Sequence, residues 1–197
     1  SALIAEWRLL ADLSFADLLL WLPIRKDEKS WPDGYVLIAQ IRPTTAATVF
    51  NDDLVGTEMA WGVNSRVDDA LANGEILRNT QPEKVGELLI KEETIPVHFA
   101  GKTIAVIARH RNADLMRSPS KLELNYREIA HKIYQMVATG EFPVPGSVYN
   151  SESAPRAGDG LIRLDANGKI LYSSPNARSA LNRIGWSGEI IGAELGE

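Results

Sequence analysis

The chain has 197 residues, 45% of them hydrophobic, with a formal charge of −5 and a pI near 5.3. This is enough apolar material for a packed core, in one full domain plus a fragment or in two small domains. The acidic balance and the lack of a clustered basic face argue against direct nucleic-acid binding. The absence of cysteine excludes disulfides, thiolate metal sites and thiol chemistry. No run approaches the roughly 18 apolar residues of a membrane span, and the start has no basic segment leading into an apolar one with a cleavage site. The expected compartment is therefore the cytoplasm.

In chain order, residues 3–12 place Leu3, Trp7 and Leu10 on one face with Glu6 and Arg8 off it, which predicts a helix. The run 16–24 is ambiguous, but Pro23 and the turn-rich segment 29–34 favour a strand entering a hairpin, with 35–42 as its partner. Asn64 and Ser65 are placed to cap a short helix through Val67, Ala70 and Leu71, which Asn73-Gly74 ends. The clearest hairpin joins 87–99 to 102–109. With Ala100-Gly101 as its turn, Ile95 and Val97 share a face with Ile104 and Val106, while Thr94 and His98 share the other with Thr103 and Ile107.

Ser118-Pro119 opens a long helix over 119–139, in which Leu122, Tyr126, Ile129, Ile133 and Met136 recur with heptad spacing. Ala130, Tyr134 and Val137 form a second stripe beside the first, leaving one face for the helix's own domain and one for a partner. The prolines, glycines and serines of 141–159 read as an interdomain linker. Beyond it, 161–164 and 169–172 flank Asn167-Gly168, read as a two-residue hairpin turn with positive φ, and Ser174-Pro175 caps and starts another helix. The forty or so residues from Gly158 onward are too few for an independent domain, so the chain reads as a piece of a longer protein. The edges of this hairpin are expected to be disordered, docked on the first domain or paired with a second chain.

The chemistry-bearing groups are few. The three histidines, His98, His110 and His131, fall too far apart along strand and helix to share a metal ion, so no metal site is expected. Arg109-His110-Arg111 and the acidic pairs Asp52-Asp53, Asp68-Asp69 and Glu92-Glu93 read as solvated. Gly158-Asp-Gly160 lacks a third glycine and a following helix, and there is neither a Walker lysine nor a Gly-x-Ser-x-Gly elbow. Thr57, Trp61, Asn64 and Arg66 surround a glycine-marked loop and are the candidate walls of a small-ligand pocket: a ring for stacking, an amide for hydrogen bonding and a cation for an anionic group.

The run from Trp7 to Trp21, the strand Ala39-Gln-Ile-Arg-Pro43, Val55-Gly-Thr57 and the stretch Pro155-Arg-Ala-Gly-Asp-Gly-Leu-Ile-Arg-Leu-Asp165 together resemble the N-terminal sensory region of PdtaS-type sensor histidine kinases. The resemblance implies an α+β fold: a GAF-like antiparallel sheet flanked by helices over 1–140, the linker 141–159, and the truncated start of a PAS domain over 160–197. It implies a cytoplasmic sensory input without catalytic activity of its own. Such an input senses a signal or a small ligand such as a cyclic nucleotide, and acts as a homodimer on a kinase core absent here, which phosphorylates a response regulator. Arg127 to Ile133 also resembles the segment around a phosphoacceptor histidine, but Tyr134-Gln135-Met136 replaces the paired asparagines, so His131 reads as a surface or dimer-seam residue. An enzyme on the same fold, such as a free-methionine sulfoxide reductase, needs cysteines. The other reading is a ligand-independent interaction and dimerisation module, its pocket filled by side chains such as Trp61 or Phe99.

Overall fold

The first apolar stripe forms two helices, α1 (Ala2–Ala5) and α2 (Trp7–Ser14), instead of one. They meet at Glu6, which is buried, not on an open face as its place in the pattern suggests, and burial raises its carboxyl pKa. The computed structural model describes residues 2–27, 29–79, 81–113, 118–142 and 155–195. The chain divides into two compact units, Ser1–Ala154 and Pro155–Glu197.

In the first unit α2 is followed by β1 (Asp17–Ile24), β2 (Gly34–Ile41), β3 (Glu58–Ala60), α3 (Ser65–Asn73), β4 (Leu77–Arg78), β5 (Glu83–Val85), β6 (Leu88–Phe99), β7 (Lys102–Asn112) and α4 (Lys121–Thr139). The order across the antiparallel sheet is β3-β2-β1-β7-β6-β4, with β5 also on β6. The ambiguous run after α2 is thus a strand, paired with both β2 and β7. The short strands β3, β4 and β5 carry no periodic signal of their own; long neighbours template them. Gly34 opens β2 because a Cβ there would lie 2.4 Å from the carbonyl oxygen of Met59 on β3.

The β6–β7 hairpin departs from its expected phasing. His98 pairs with Thr103, but Val97 pairs with Ala105 and Ile95 with Ile107, so Ile104 is the extra residue of a bulge next to the turn. Beyond the bulge every partner shifts by one, which sets Glu92 opposite His110 and Glu93 opposite Arg109.

Side-chain alternation then divides the core into two layers. Leu19, Trp21, Tyr35, Leu37, Val106 and Ala108 pack against Val67, Ala70 and Leu71 of α3. Leu18, Leu20, Ile95 and Ile107 are buried on the opposite face, which α2 and α4 cover. Phe15, left-handed at φ 52° after α2, is held by its ring, which stacks on Tyr126 of α4 at 6.2 Å. α4 starts at Ser120, a little later than expected, in a reciprocal capping box with Glu123, and its second stripe of Ala130, Tyr134 and Val137 is the buried one.

The second unit holds a 3-10 turn (Ala157–Asp159), β8 (Ile162–Leu164), β9 (Ile170–Ser173) and α5 (Pro175–Arg183), which Ser174 caps. Most of the expected linker, residues 143–154, lies outside the described residues. The hairpin turn is longer than the two residues expected. Gly168 donates its N–H to the Asp165 carbonyl at 3.2 Å, and only Gly168, at φ 84°, takes positive φ; Asn167 does not. The Asp165 carboxylate accepts the N–H groups of Asn167 and Lys169, so a side chain organises the turn. The outer edge of β9 is covered by this unit's own last residues: Ile170 bonds Ala193 and Gly192 through the backbone at 2.8 Å each.

Candidate ligand-binding cleft

The α3 layer does not cover the whole sheet. Between the start of α3 and the Glu83–Val85 edge strand lies a cleft of about 490 Å³. Phe50, Met59, Val63, Val85 and Ile90 form apolar walls, and Asn64, Ser65, Arg66, Glu83, Glu92 and His110 supply polar groups.

Asn64 does two jobs here. Its Oδ1 accepts the Arg66 and Val67 N–H groups that a helix start leaves open, at 3.1 and 3.4 Å, while its Nδ2 donates to Glu92 Oε1 at 2.8 Å. Arg66, in the first turn, is clamped by two carboxylates. Its Nε and Nη2 reach Glu92 Oε2 at 2.8 and 2.6 Å, and Nη1 and Nη2 donate to Glu83 Oε1 and Oε2 at 2.8 and 3.1 Å. The hydrogen bonds that Arg66 donates to Glu83, with help from Glu92, raise the Arg66 pKa against the effect of burial, and the same contact lowers that of Glu83. His110 on β7 stands directly opposite Glu92 on β6, with Nε2 3.6 Å from Oε1 and its ring edge-on to Phe50. Burial pushes its pKa down, outweighing the attraction of Glu92 and Asp17, so the imidazole stays neutral at pH 7.

Two of the four anticipated pocket residues, Asn64 and Arg66, therefore line the cleft, and two do not. Trp61 instead stacks on Tyr35 at 5.9 Å and meets the exposed Trp31 edge-on at 4.9 Å. Thr57 is exposed on a turn where its backbone bonds Leu37 and Leu54. Arg66 is not an open cation, since two carboxylates already face it. Phe99 is exposed, so neither Phe99 nor Trp61 fills the cleft.

Of the runs expected to be solvated, Asp52, Asp53 and Asp69 are exposed, but Asp68, Glu92 and Glu93 are buried and Arg109, His110 and Arg111 are half-buried. Glu92 and Glu93 are 7% and 6% exposed, because β6 has neighbours on both edges and helices over both faces. Adjacent in the strand, they point to opposite faces. On the α4 face, Glu93 binds Arg78 and, at 2.7 Å, Arg109. Both arginines continue to α4: Arg78 Nη2 lies 2.9 Å from His131 Nδ1, and the Arg109 guanidinium sits 5.7 Å from the centroid of the Tyr134 ring. Burial pushes the Tyr134 hydroxyl up to about 12, and it donates to Ser14 of α2 at 3.1 Å. Asp68 is also buried, accepting from the Tyr35 hydroxyl and the Gly62 N–H at 2.9 Å each. The legible hint was charge complementarity between Glu92-Glu93 and Arg109-His110-Arg111; the bulge at Ile104 decides which residue faces which.

Among the described residues no group of three or more His, Asp or Glu side chains is arranged to hold a metal ion, and no helix is long and apolar enough to cross a membrane.

A sheet with α3 on one face and α2 and α4 on the other is a GAF-like α+β fold. Residues 1–130 match the family described as the GAF domain of histidine kinase PdtaS, and the chain belongs to that family. It is 40% identical over 202 residues to the sensor histidine kinase PdtaS of Mycobacterium tuberculosis and 38% identical over 198 residues to that of Mycolicibacterium smegmatis. Each alignment covers 98% of this chain and 38% of the relative, so the chain spans well under half the length of these proteins. A solved structure described as the sensor region of a sensor histidine kinase superposes with a TM-score of 0.79 at 39% identity, covering 98% of this chain and 65% of that one. The chain thus corresponds to the sensor region of a PdtaS-type histidine kinase.

Proposed function

We propose that this chain is the sensory input of a cytoplasmic two-component kinase: the cleft takes up a small ligand, and α4 carries its occupancy to a kinase core that phosphorylates a response regulator. In this reading 1–140 is the sensor domain, 141–159 the linker and 160–197 the start of a PAS domain. The input has no catalytic activity of its own and works as a homodimer through the half-buried Leu122, Ile129, Ile133 and Met136. Tyr126, turned into its own domain against Phe15, stays outside that seam.

One observation carries this reading. The cleft and α4 are tied to consecutive residues of one strand, Glu92 through Arg66 on one face and Glu93 through Arg78 and Arg109 on the other. A ligand that disturbs the Arg66 clamp shifts Glu92, and β6 cannot turn there without moving Glu93 and its two arginines. An anionic ligand such as a cyclic nucleotide has to take Arg66 from Glu83 to use its charge.

A double-mutant cycle tests the connection. Arg66 and Arg78 share no partner, so independent faces predict that the unfolding free-energy changes of Arg66→Ala and Arg78→Ala add. Transmission through β6 predicts a coupling of about 1 kcal/mol. Additivity in urea denaturation of the four proteins would remove the proposed route.

A further inference from the structure

The two carboxylates on Arg66 are not equivalent. Glu92 is 7% exposed, sits on a strand with neighbours on both edges and also accepts from Asn64, so stripping it from Arg66 would leave a buried, uncompensated charge. Glu83 is 56% exposed, and all three residues of its edge strand are open to solvent. Released to water, it loses an exposed ion pair and an exposed hydrogen bond from Asn79 Nδ2 at 3.1 Å, surface contacts of small value. Glu92 alone neutralises Arg66, and Glu83 adds a second negative charge on the outer corner of the guanidinium, facing the cleft.

Resting on the reading of the cleft as the ligand site, we propose that it is an anion site held closed by its own side chain: the Glu83 carboxylate occupies the position on Arg66 that a ligand carboxylate or phosphate takes. The two near-parallel bonds from Nη1 and Nη2, at 2.8 and 3.1 Å, have the fork geometry by which arginine receives either group. Exchange swaps one anion for another on the same corner, so Arg66 stays paired and Glu92 stays buried. The walls of Phe50, Met59, Val63, Val85 and Ile90 then receive the rest of the ligand. The ligand class is a small anion with an apolar ring or chain. An amine is the opposite case, since it binds to Glu83 instead of replacing it.

Benzoate, phenylphosphate and phenethylamine serve as probes, titrated by NMR into the wild-type chain, Glu83→Ala, and Glu83→Ala combined with Arg66→Lys. Glu83 is exposed, so the alanine variant keeps the fold, which its backbone spectrum verifies. The expected result is that Glu83→Ala binds benzoate and phenylphosphate about tenfold more tightly than wild type, that Arg66→Lys removes the gain, and that phenethylamine binds more weakly. Equal anion affinity with and without Glu83, with shifts still centred on Met59, Asn64 and Ile90, would overturn the inference and leave the ligand site standing. Tighter binding of phenethylamine to the wild type than of either anion to the variant would also overturn it. No shift at cleft residues with any probe in any protein would overturn the inference and the ligand site together.

Discussion

His110 shows what a single position costs and contributes. Its neighbours are Glu92 from β6, Asp17 from β1, Arg66 from α3 and the Phe50 ring. Burial wins over the two carboxylates, so the folded chain resists the proton that the unfolded chain accepts near pH 6.5. The sign follows: stability is full above that pH and falls as the pH drops from about 6.5 towards the lower folded value. Glu83, held below its usual range by Arg66, adds a further loss below pH 4.5, while Glu6, raised by burial, acts in the opposite direction on acidification. In urea denaturation at pH 7 and 5.5, the wild-type midpoint should fall and that of His110→Gln should stay nearly level. An equal fall in both proteins would show that His110 is not the titrating group. The charged run around His110 was visible in the sequence, but its burial was not, because nothing local says that β7 lies between β1 and β6.

At the scale of elements, α4 was the most legible segment. Its two stripes and its stop at Gly140 follow from side-chain spacing, while the cap falls on Ser120, two residues past the expected Ser118. Ser120 Oγ accepts the Glu123 N–H at 3.2 Å, and Glu123 Oε2 accepts the Ser120 N–H at 2.7 Å. Ser120→Ala is expected to cost about 1 kcal/mol, measured by urea denaturation, with hydrogen exchange rising over the first turn of α4 and not over α3. The hairpin was legible to its turn and no further. A one-residue bulge beside Gly101 changes every partner beyond it, and no residue in 102–105 announces the bulge, since backbone twist and packing on both faces select the register. β4 and β5 were missed for a related reason: at two and three residues they are defined by the unpaired edge of β6.

The whole molecule raises the question of its copy number. On α4, Leu122, Ile129, Ile133 and Met136 remain half-buried after the helix has packed on its own sheet, and Leu124 is 54% exposed. The proposed homodimer predicts twice the chain mass in light scattering at micromolar concentration. Ile129→Glu with Ile133→Glu should return it to one chain without loss of helical signal. A wild-type chain that stays monomeric at high micromolar concentration counts against α4 as a sufficient interface.

By itself the sequence determined the α+β class, the positions of α3, α4 and the long strands, the caps Asn64 and Ser174 and the PdtaS resemblance. These depend on periodicity, caps and ordered short motifs, which act over a few residues. Tertiary structure alone decided that Trp61 stacks on Tyr35 outside the cleft, that Arg66 is closed by Glu83 and Glu92, and that the Glu92-Glu93 pair is buried on two faces of one strand. Each of those outcomes joins residues apart in the chain and depends on sheet order, and the bulge in β6–β7 further sets which basic residues face the two glutamates. Local sequence carries the alternation of the two glutamates; only the completed sheet supplies the helices and arginines that keep water from both.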